Sequence, residues 1–210
     1  MTRAHARTPL WVKAGAAAAL LALLAWWGAT WHDTRANERR LGAIASQIAG
    51  RTVAVHCPGP VGRLIGWDIV EGSVRFAADG TPDDETKLRE TACAELDALA
   101  EGRRGAELAC TERAGIACGR HGRATAMAVD VLAHESWHLR GVIDEGETEC
   151  RSLQTMAWTA GQLGATPAQG AALARAQLEG GYLDLPERYR DPRCADGGPL
   201  DLRPDDPAFP

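Results

Sequence analysis

The sequence predicts an α+β fold, in which an N-terminal transmembrane helix precedes a small sheet packed against a helical core that disulfides stabilise. Three observations lead to this prediction. An uncharged apolar run occupies residues 14–31. Beyond it, a short segment alternates apolar and polar residues with the period of a strand, whereas the C-terminal half has the longer period of amphipathic helices. All six cysteines follow the apolar run.

Residues 14–31 have the length and composition of a membrane anchor. As a helix they extend about 27 Å, close to the thickness of the hydrocarbon core of a bilayer. Three tryptophans lie near one end, where membrane helices carry aromatic belts: Trp26, Trp27 and Trp31. A cleaved signal peptide is the competing interpretation, but its apolar region is usually shorter. We therefore expect a single-pass protein of the cell membrane, with residues 1–13 as a cytoplasmic tail and the C-terminal domain outside the cytoplasm.

The residues after the anchor predict a helical stalk and then the strands of a minor sheet. The stalk covers residues 32–50. Residues 51–57 (RTVAVHC) alternate in polarity and include β-branched side chains, as strands do. A second extended region covers residues 67–76, and the dipeptide Asp79-Gly80 directly after it is typical of a turn.

Helical periodicity dominates the rest of the exported domain, which covers residues 51–210. The apolar spacing predicts four helices: residues 81–100, 124–139, 144–160 and 167–178. Gly141 separates the second helix from the third. Residues 101–122, rich in Gly and Arg, are expected to form a loop. The residues after Gly180 contain six prolines and are expected to form an irregular tail.

The six cysteines indicate a disulfide-bonded domain: Cys57, Cys93, Cys110, Cys118, Cys150 and Cys194. An even number of cysteines in a domain of this size is typical of an oxidising compartment. The sequence leaves the pairing open, but Cys110 and Cys118 enclose a short loop and are the favoured pair. The Cys-x-x-Cys spacing of many metal sites is absent from the sequence.

The composition excludes two classes of protein. About 45% of the residues are hydrophobic, which is too many for an intrinsically disordered chain. The chain has 28 acidic and 23 basic residues and a net charge of −5. Proteins that bind nucleic acids usually carry a basic excess, so we expect no nucleic-acid partner.

A short motif on the second predicted helix indicates metal chemistry. His134 and His138 are four residues apart, so on a helix both imidazoles project from one face. Glu135 lies beside the first histidine, where its carboxylate can reach a metal-bound water without ligating the metal. His-Glu-x-x-His is the signature of zinc-dependent peptidases, in which Zn²⁺ has three protein ligands and an open position for water.

Acidic residues after the turn provide the third ligand. If the helix predicted over residues 144–160 folds back on the helix over residues 124–139, Glu145 lies at the edge of its apolar stripe, opposite the histidines. We expect Glu145 to bind the metal and Glu149, one turn further along, to accept a hydrogen bond from His134. Asp144 is the alternative third ligand, although Asp144 and Glu147 also fit a capping box.

The segment covering residues 131–156 resembles the zincin metallopeptidases. It is similar to the gluzincin branch, whose second helix carries Glu-x-x-Ala-Asp or a close variant; here the corresponding residues, 145–149, are Glu-Gly-Glu-Thr-Glu. The resemblance implies that Glu145 is a zinc ligand and that Glu149 orients a histidine. More broadly, the chain resembles small membrane-anchored zincin-like proteins of high-GC bacteria.

The same segment is also similar to the metzincin pattern His-Glu-x-x-His-x-x-Gly-x-x-Asp. Gly141 and Asp144 fall at the spacings of that pattern. Metzincins carry a methionine-containing turn beneath the metal, whereas Met156 falls inside a predicted helix. The gluzincin branch is therefore the better match, and it implies a zincin-like core.

Two functions of different classes follow from the motif. The first is a membrane-anchored, extracytoplasmic zinc metallopeptidase, in which Glu135 activates the water that attacks a peptide or protein substrate. The alternative is a non-catalytic, zinc-stabilised, disulfide-bonded cell-surface module, which requires a closed coordination sphere. A degenerate zincin without metal is a third possibility.

Other polar residues carry weaker signals. Four residues near the tail can approach a cleft and stabilise an oxyanion, although ordinary surface positions are the favoured interpretation: Tyr182, Arg188, Tyr189 and Arg190. His56 and His121 are expected to be ordinary histidines rather than ligands.

Overall fold

The computed structural model describes residues 10–59, 72–205 and 209. The described chain is mostly helical and contains one three-stranded sheet, so the mixed α+β architecture is confirmed. A hydrophobic core joins the sheet to the helices. Six of its fully buried side chains are Leu41, Leu96, Leu132, Leu153, Met156 and Leu173.

The first helix, α1, covers Leu10–Ala49. Four apolar residues near its C-terminal end are buried at helical spacing: Leu41, Ile44, Ala45 and Ile48. One face of the helix therefore packs against the core. Residues 32–50, for which the sequence predicts a stalk, supply part of the domain's own interior.

The N-terminal part of α1 leaves apolar side chains exposed. This part contains residues 14–31, for which the sequence predicts a membrane-spanning helix. Four of its leucines are each more than half exposed: Leu20, Leu21, Leu23 and Leu24. Contrary to the prediction, no helix within the described residues combines the length and the mean hydropathy that crossing a membrane requires.

Three short strands form the sheet: β1 Ala54–His56, β2 Gly72–Ser73 and β3 Glu85–Leu88. β3 is central and pairs parallel with β1 and antiparallel with β2. β1 confirms the strand predicted over residues 51–57. In the extended region predicted over residues 67–76, residues 67–71 lie outside the described residues. The remainder contains β2, and Phe76 makes an isolated bridge with Pro82.

The helix predicted over residues 81–100 is wrong in its first part. Glu85–Leu88 form the central strand, and the second helix, α2, covers Glu90–Ala100. Thr86 and Leu88 are buried while the residues between and before them are more exposed, which is the alternation of a strand. Pairing with two strands that are distant in sequence therefore overrides the local acidic pattern that suggested a helix start.

Four further helices follow: α3 Gly105–Ala114, α4 Gly119–Leu139, α5 Glu145–Gln162 and α6 Pro167–Ala176. The loop predicted over residues 101–122 is wrong, because α3 and the start of α4 lie there. α3 buries Leu108 and Thr111, and these tertiary contacts stabilise a helix that its glycine-rich surroundings disfavour. The helices predicted over residues 124–139, 144–160 and 167–178 are confirmed, with shifted ends.

The chain after α6 forms only short elements. These are a π-helical turn at Gln177–Gly181, a short helix α7 at Tyr182–Asp184 and a 3₁₀ turn at Glu187–Tyr189. The side-chain amide of Gln154 on α5 holds the tail through both its nitrogen and its oxygen. It donates a hydrogen bond to the carbonyl of Leu200 (2.9 Å) and accepts one from the backbone N–H of Leu202 (2.6 Å).

All six cysteines form disulfides, in the pairs Cys57–Cys93, Cys110–Cys118 and Cys150–Cys194. The pairing favoured from the short loop, Cys110 with Cys118, is the one observed. The first disulfide links the end of β1 to α2, and the third attaches the tail to α5. The disulfides therefore hold the sheet and the tail against the helical core.

Candidate metal centre

Helices α4 and α5 form an antiparallel hairpin whose turn covers residues 140–144. Contacts between them run in opposite directions along the two helices: His138 with Glu145, His134 with Glu149, and Asp130 with Ser152. Gly141 occupies the turn with a φ of 104°, a conformation that glycine adopts without the steric cost of a Cβ. The hairpin that the third-ligand argument assumed is therefore present.

The hairpin brings His134, His138 and Glu145 together. The Oε2 atom of Glu145 lies 3.1 Å from Nε2 of His134 and 3.2 Å from Nε2 of His138. Each residue offers one ligand atom, and these atoms lie within 4.8 Å of one another. Within the described part of the chain, this is the one such group of three His, Cys, Asp or Glu side chains. The cluster has the composition of a site for a divalent metal ion.

Hydrogen bonds on the far side of each ring fix which nitrogen faces the cluster. Nδ1 of His138 lies 2.7 Å from the carbonyl oxygen of Val142, which can only accept a hydrogen bond. Nδ1 of His134 lies 2.9 Å from Oε2 of Glu149. Each Nδ1 therefore carries a proton, and in a neutral ring the lone pair of Nε2 points into the cluster.

The two other acidic residues at the turn have different partners. Asp144 is the N-cap of α5, and its Oδ1 accepts a hydrogen bond from the backbone N–H of Glu147 (2.8 Å). The carboxylate of Glu147 binds the guanidinium of Arg151 at 2.8 Å. Asp144 thus has the capping role that its sequence context suggests, and the structure groups Glu145, not Asp144, with the histidines.

Lone pairs on three buried or half-buried atoms give the cluster a strong affinity for positive charge. Burial lowers the pKa of His134, but hydrogen bonds to Glu145 and Glu149 outweigh it and raise this pKa to about 10. Hydrogen bonds from the two histidines lower the pKa of the Glu145 carboxyl well below its usual range. Without a metal, a proton on His134 therefore supplies the positive charge that the cluster favours.

Glu135 lies on the same helix but points towards the sheet. It is buried, and its Oε2 accepts a hydrogen bond from the Thr86 hydroxyl at 3.4 Å. Burial raises the pKa of its carboxyl. Gly72 of β2 packs directly on it, and a Cβ at position 72 would lie 2.5 Å from Oε1. Strands β2 and β3 therefore fix the position of this carboxylate.

A cavity of about 270 Å³ adjoins the cluster. Among its lining residues are Asp130, His134, Glu135, Glu149, Gln177 and Tyr189. The tail therefore closes one side of the cavity, because Tyr189 belongs to the 3₁₀ turn after α7. The Tyr189 ring lies 5.9 Å from the His134 ring, measured between centroids. A molecule in this cavity would contact both His134 and Glu135.

Asp130 is a buried acid that the sequence analysis did not single out. Its carboxyl accepts hydrogen bonds from the Ser152 hydroxyl (2.5 Å) and from the side-chain amide of Gln177 (3.0 Å). Burial and the neighbouring Glu149 raise its pKa well above the usual range. Asp130 precedes His134 by four residues on α4, and that helical spacing was the available signal.

The remaining candidates from the sequence lie mostly away from the cluster. Tyr182 is buried and its hydroxyl accepts a hydrogen bond from the backbone N–H of Asp191, whereas Arg188 stacks on the ring of Tyr189. His56 pairs with Glu85, and His121 pairs with Glu95. Of the four tail residues, Tyr189 is therefore the one that lines the cavity.

Four residues that shape the site were missed: Gly72, Thr86, Asp130 and Gln177. Gly72, Thr86 and Gln177 come from segments far from the motif in sequence, so local spacing carries no signal for them.

No family model matches this chain, and no curated protein and no solved structure matches it either.

Proposed function

We propose that this protein is a zinc-dependent peptidase, in which His134, His138 and Glu145 bind the metal and Glu135 is the general base. The observation that carries this proposal is the convergence of three lone-pair atoms beside a cavity that Glu135 also lines. A structural metal site has no need of a carboxylate placed in this way.

The distances from the Glu145 oxygen to the two histidine nitrogens fit a tetrahedral ion. Zinc binds His nitrogen and carboxylate oxygen at about 2.0–2.1 Å, so tetrahedral ligands lie about 3.3 Å apart. The distances from Glu145 Oε2 to the two histidine nitrogens, 3.1 and 3.2 Å, are close to that value. Two imidazoles and one carboxylate also form a donor set that zinc favours in catalytic sites.

The chain's own residues have separate tasks in the proposed reaction. When bound, zinc supplies Lewis acidity, which lowers the pKa of water and polarises a carbonyl. Glu149 and the carbonyl of Val142 hold the Nδ1 protons and so keep both Nε2 atoms available as ligands. Glu135 accepts the proton of the attacking water and returns it to the leaving amine.

The alternative, a non-catalytic zinc module, requires a fourth protein ligand. Asp144 and Glu149 are the nearest candidates in the hairpin, but the first caps α5 and the second binds His134. Because both carboxylates already have these partners, a fourth coordination position would be open to water, which favours catalysis. Full coordination by protein side chains would favour the module.

The place of action remains a prediction from the sequence. We propose that the domain works outside the cytoplasm, at the cell membrane. The three disulfides are consistent with an oxidising compartment, and the exposed leucines of α1 provide an apolar surface for membrane attachment. Fractionation of cells, with protease added from outside, tests both parts.

The test of the function is metal content and hydrolysis in the full chain, produced in an oxidising compartment. We expect about one zinc ion per chain, lost in His134→Ala and kept in His56→Ala, a control histidine outside the cluster. Glu135→Gln should keep the metal while kcat on a peptide library falls about 10²–10⁴-fold, because the general base is lost. A Glu135→Gln protein with undiminished hydrolysis would contradict the proposed role.

A further inference from the structure

We propose that the cavity beside the metal ligands selects a basic side chain, lysine or arginine, at a position next to the scissile bond. This inference rests on the proposed peptidase function, and it names the substrate class. It stands on three features of the cavity: its position one helical turn from the ligands, its acidic floor and its apolar walls.

The position of the cavity follows from one face of α4. Met127, Asp130, Val131 and His134 recur at spacings of three and four, and all four line the cavity. Asp130 lies one turn from His134, which is about 6 Å along the helix axis. The four-carbon stem of a lysine spans such a distance from a peptide carbonyl held at the ligands.

The floor of the cavity is acidic and incompletely hydrogen-bonded. Asp130 and Glu149 both line it, and both are buried. Oε2 of Glu149 binds His134, but its Oε1 has no hydrogen-bond partner among the described residues, although the side chain is only 4% exposed. A buried carboxylate oxygen without a donor is costly, and an N–H donor from outside the chain would satisfy it.

Apart from His134, which already binds Oε2 of Glu149, the described lining supplies no donor with positive charge. Asp130, Glu135 and Glu149 contribute three carboxyl groups, whereas the described lining residues include no lysine or arginine. An ammonium or guanidinium group brings both the charge and the N–H donors that the floor lacks. The side-chain amide of Gln177 already donates to Asp130, so it is not available to Oε1 of Glu149 through that hydrogen.

The walls suit the stem of a long basic side chain. Val131 and Leu185 line the cavity, and Met127 lies at its mouth with 47% of its surface exposed. Lysine and arginine pack their methylene groups on apolar surface while the charged end seeks polar partners. Apolar walls above an acidic floor therefore match a basic residue better than an apolar or an acidic one.

The first experiment measures specificity in the zinc-loaded full chain. Peptides that differ only in one residue next to the scissile bond carry Arg, Lys, norleucine or Glu. We expect kcat/KM for Arg and Lys to exceed that for norleucine by about tenfold or more. The variant Met127→Lys places a cation at the mouth of the cavity. It should lower kcat/KM for Arg peptides about fivefold relative to norleucine peptides, because like charges repel. The neutral control Met127→Gln should leave this ratio unchanged. Equal rates for Arg and norleucine would overturn the inference and leave the peptidase function intact.

The second experiment does not depend on catalysis. Agmatine and 1-pentanol, one cationic and one neutral, are titrated against the full chain by NMR or calorimetry. We expect agmatine to bind and 1-pentanol not to bind, and we expect Asp130→Asn to lower the affinity for agmatine about tenfold. Binding by agmatine with no peptide cleaved would retain the cation site and refute the peptidase function. Failure of agmatine to bind wild-type protein would refute the cation site, whatever the fold of the Asp130 variant.

Discussion

At the scale of single residues, Glu149 fixes the orientation of the His134 ring in the proposed metal site. It is buried on α5 and accepts the Nδ1 proton of His134 at 2.9 Å. Without this acceptor the ring can rotate or change tautomer, so that Nε2 no longer offers its lone pair in the right direction. In the proposed site, Glu149 would therefore act on the metal through His134 rather than by binding it.

Replacement of Glu149 therefore tests the arrangement of the ligands. We expect Glu149→Ala to lower zinc affinity about 10–100-fold, because the ring of His134 loses its orienting partner. Competition with a chromogenic chelator measures the affinity. Glu147→Ala is the matched control, since Glu147 lies two residues away and binds Arg151 instead. Equal losses in both variants would point to a general effect on α5.

The convergence of His134, His138 and Glu145 could be predicted from the sequence, but much of its surroundings could not. His134 and His138 fall on one helical face, and Glu145 follows a turn marked by glycine, so local periodicity was sufficient. Gly72 and Gln177 reach the site through tertiary folding. A sequence motif therefore identifies the side chains of a possible metal cluster more readily than the residues that enclose the neighbouring cavity.

At the scale of elements, Glu95 ties α2 to the two helices that follow it. Its carboxylate accepts hydrogen bonds from Arg104, which immediately precedes α3, and from Thr125 on α4, and it pairs with His121. Burial raises the pKa of Glu95, but the hydrogen bonds from these partners outweigh it and lower the pKa below its ordinary value of 4.5.

This lowered pKa predicts a pH-dependent contribution to stability. A carboxyl whose pKa is lower in the folded state stabilises the protein above pH 4.5, and the contribution disappears as the pH falls through the folded-state pKa. We expect Glu95→Gln to lower the free energy of unfolding at pH 7 and to differ less from wild type at pH 3, as measured by urea unfolding. The exposed Glu112→Gln is the control. A difference that grew towards low pH would contradict the assignment.

The elements also mark where sequence periodicity fails. The helices α4, α5 and α6 were predicted because each buries residues at helical spacing, although α6, with 10 residues, is no longer than α3. β3 was missed because its strand character depends on β1 and β2, and α3 because glycines flank it on both sides. Short elements owe their structure to distant partners, and four residues are too few for a period to be recognised.

At the scale of the whole molecule, metal binding and folding are linked. The ligands lie on two helices, so an ion that binds them stabilises the folded state over the unfolded chain. Zinc at about a hundredfold excess over its dissociation constant should raise the free energy of unfolding by about 2.7 kcal/mol. Differential scanning calorimetry with and without a chelator measures this, and His134→Ala should not respond to zinc. A wild-type Tm that does not change when zinc is added would argue against the proposed metal site.

The antiparallel hairpin of α4 and α5 also determines the order in which the site can form. All three proposed ligands lie between residues 134 and 145, so closing this short loop has a small entropic cost. The cavity needs Gly72 from before the hairpin and Tyr189 from after it, contacts that form late because they join distant parts of the chain. In the proposed peptidase, a nascent chain that has folded only the hairpin would already present the three ligands and would capture its metal before it could hold a substrate.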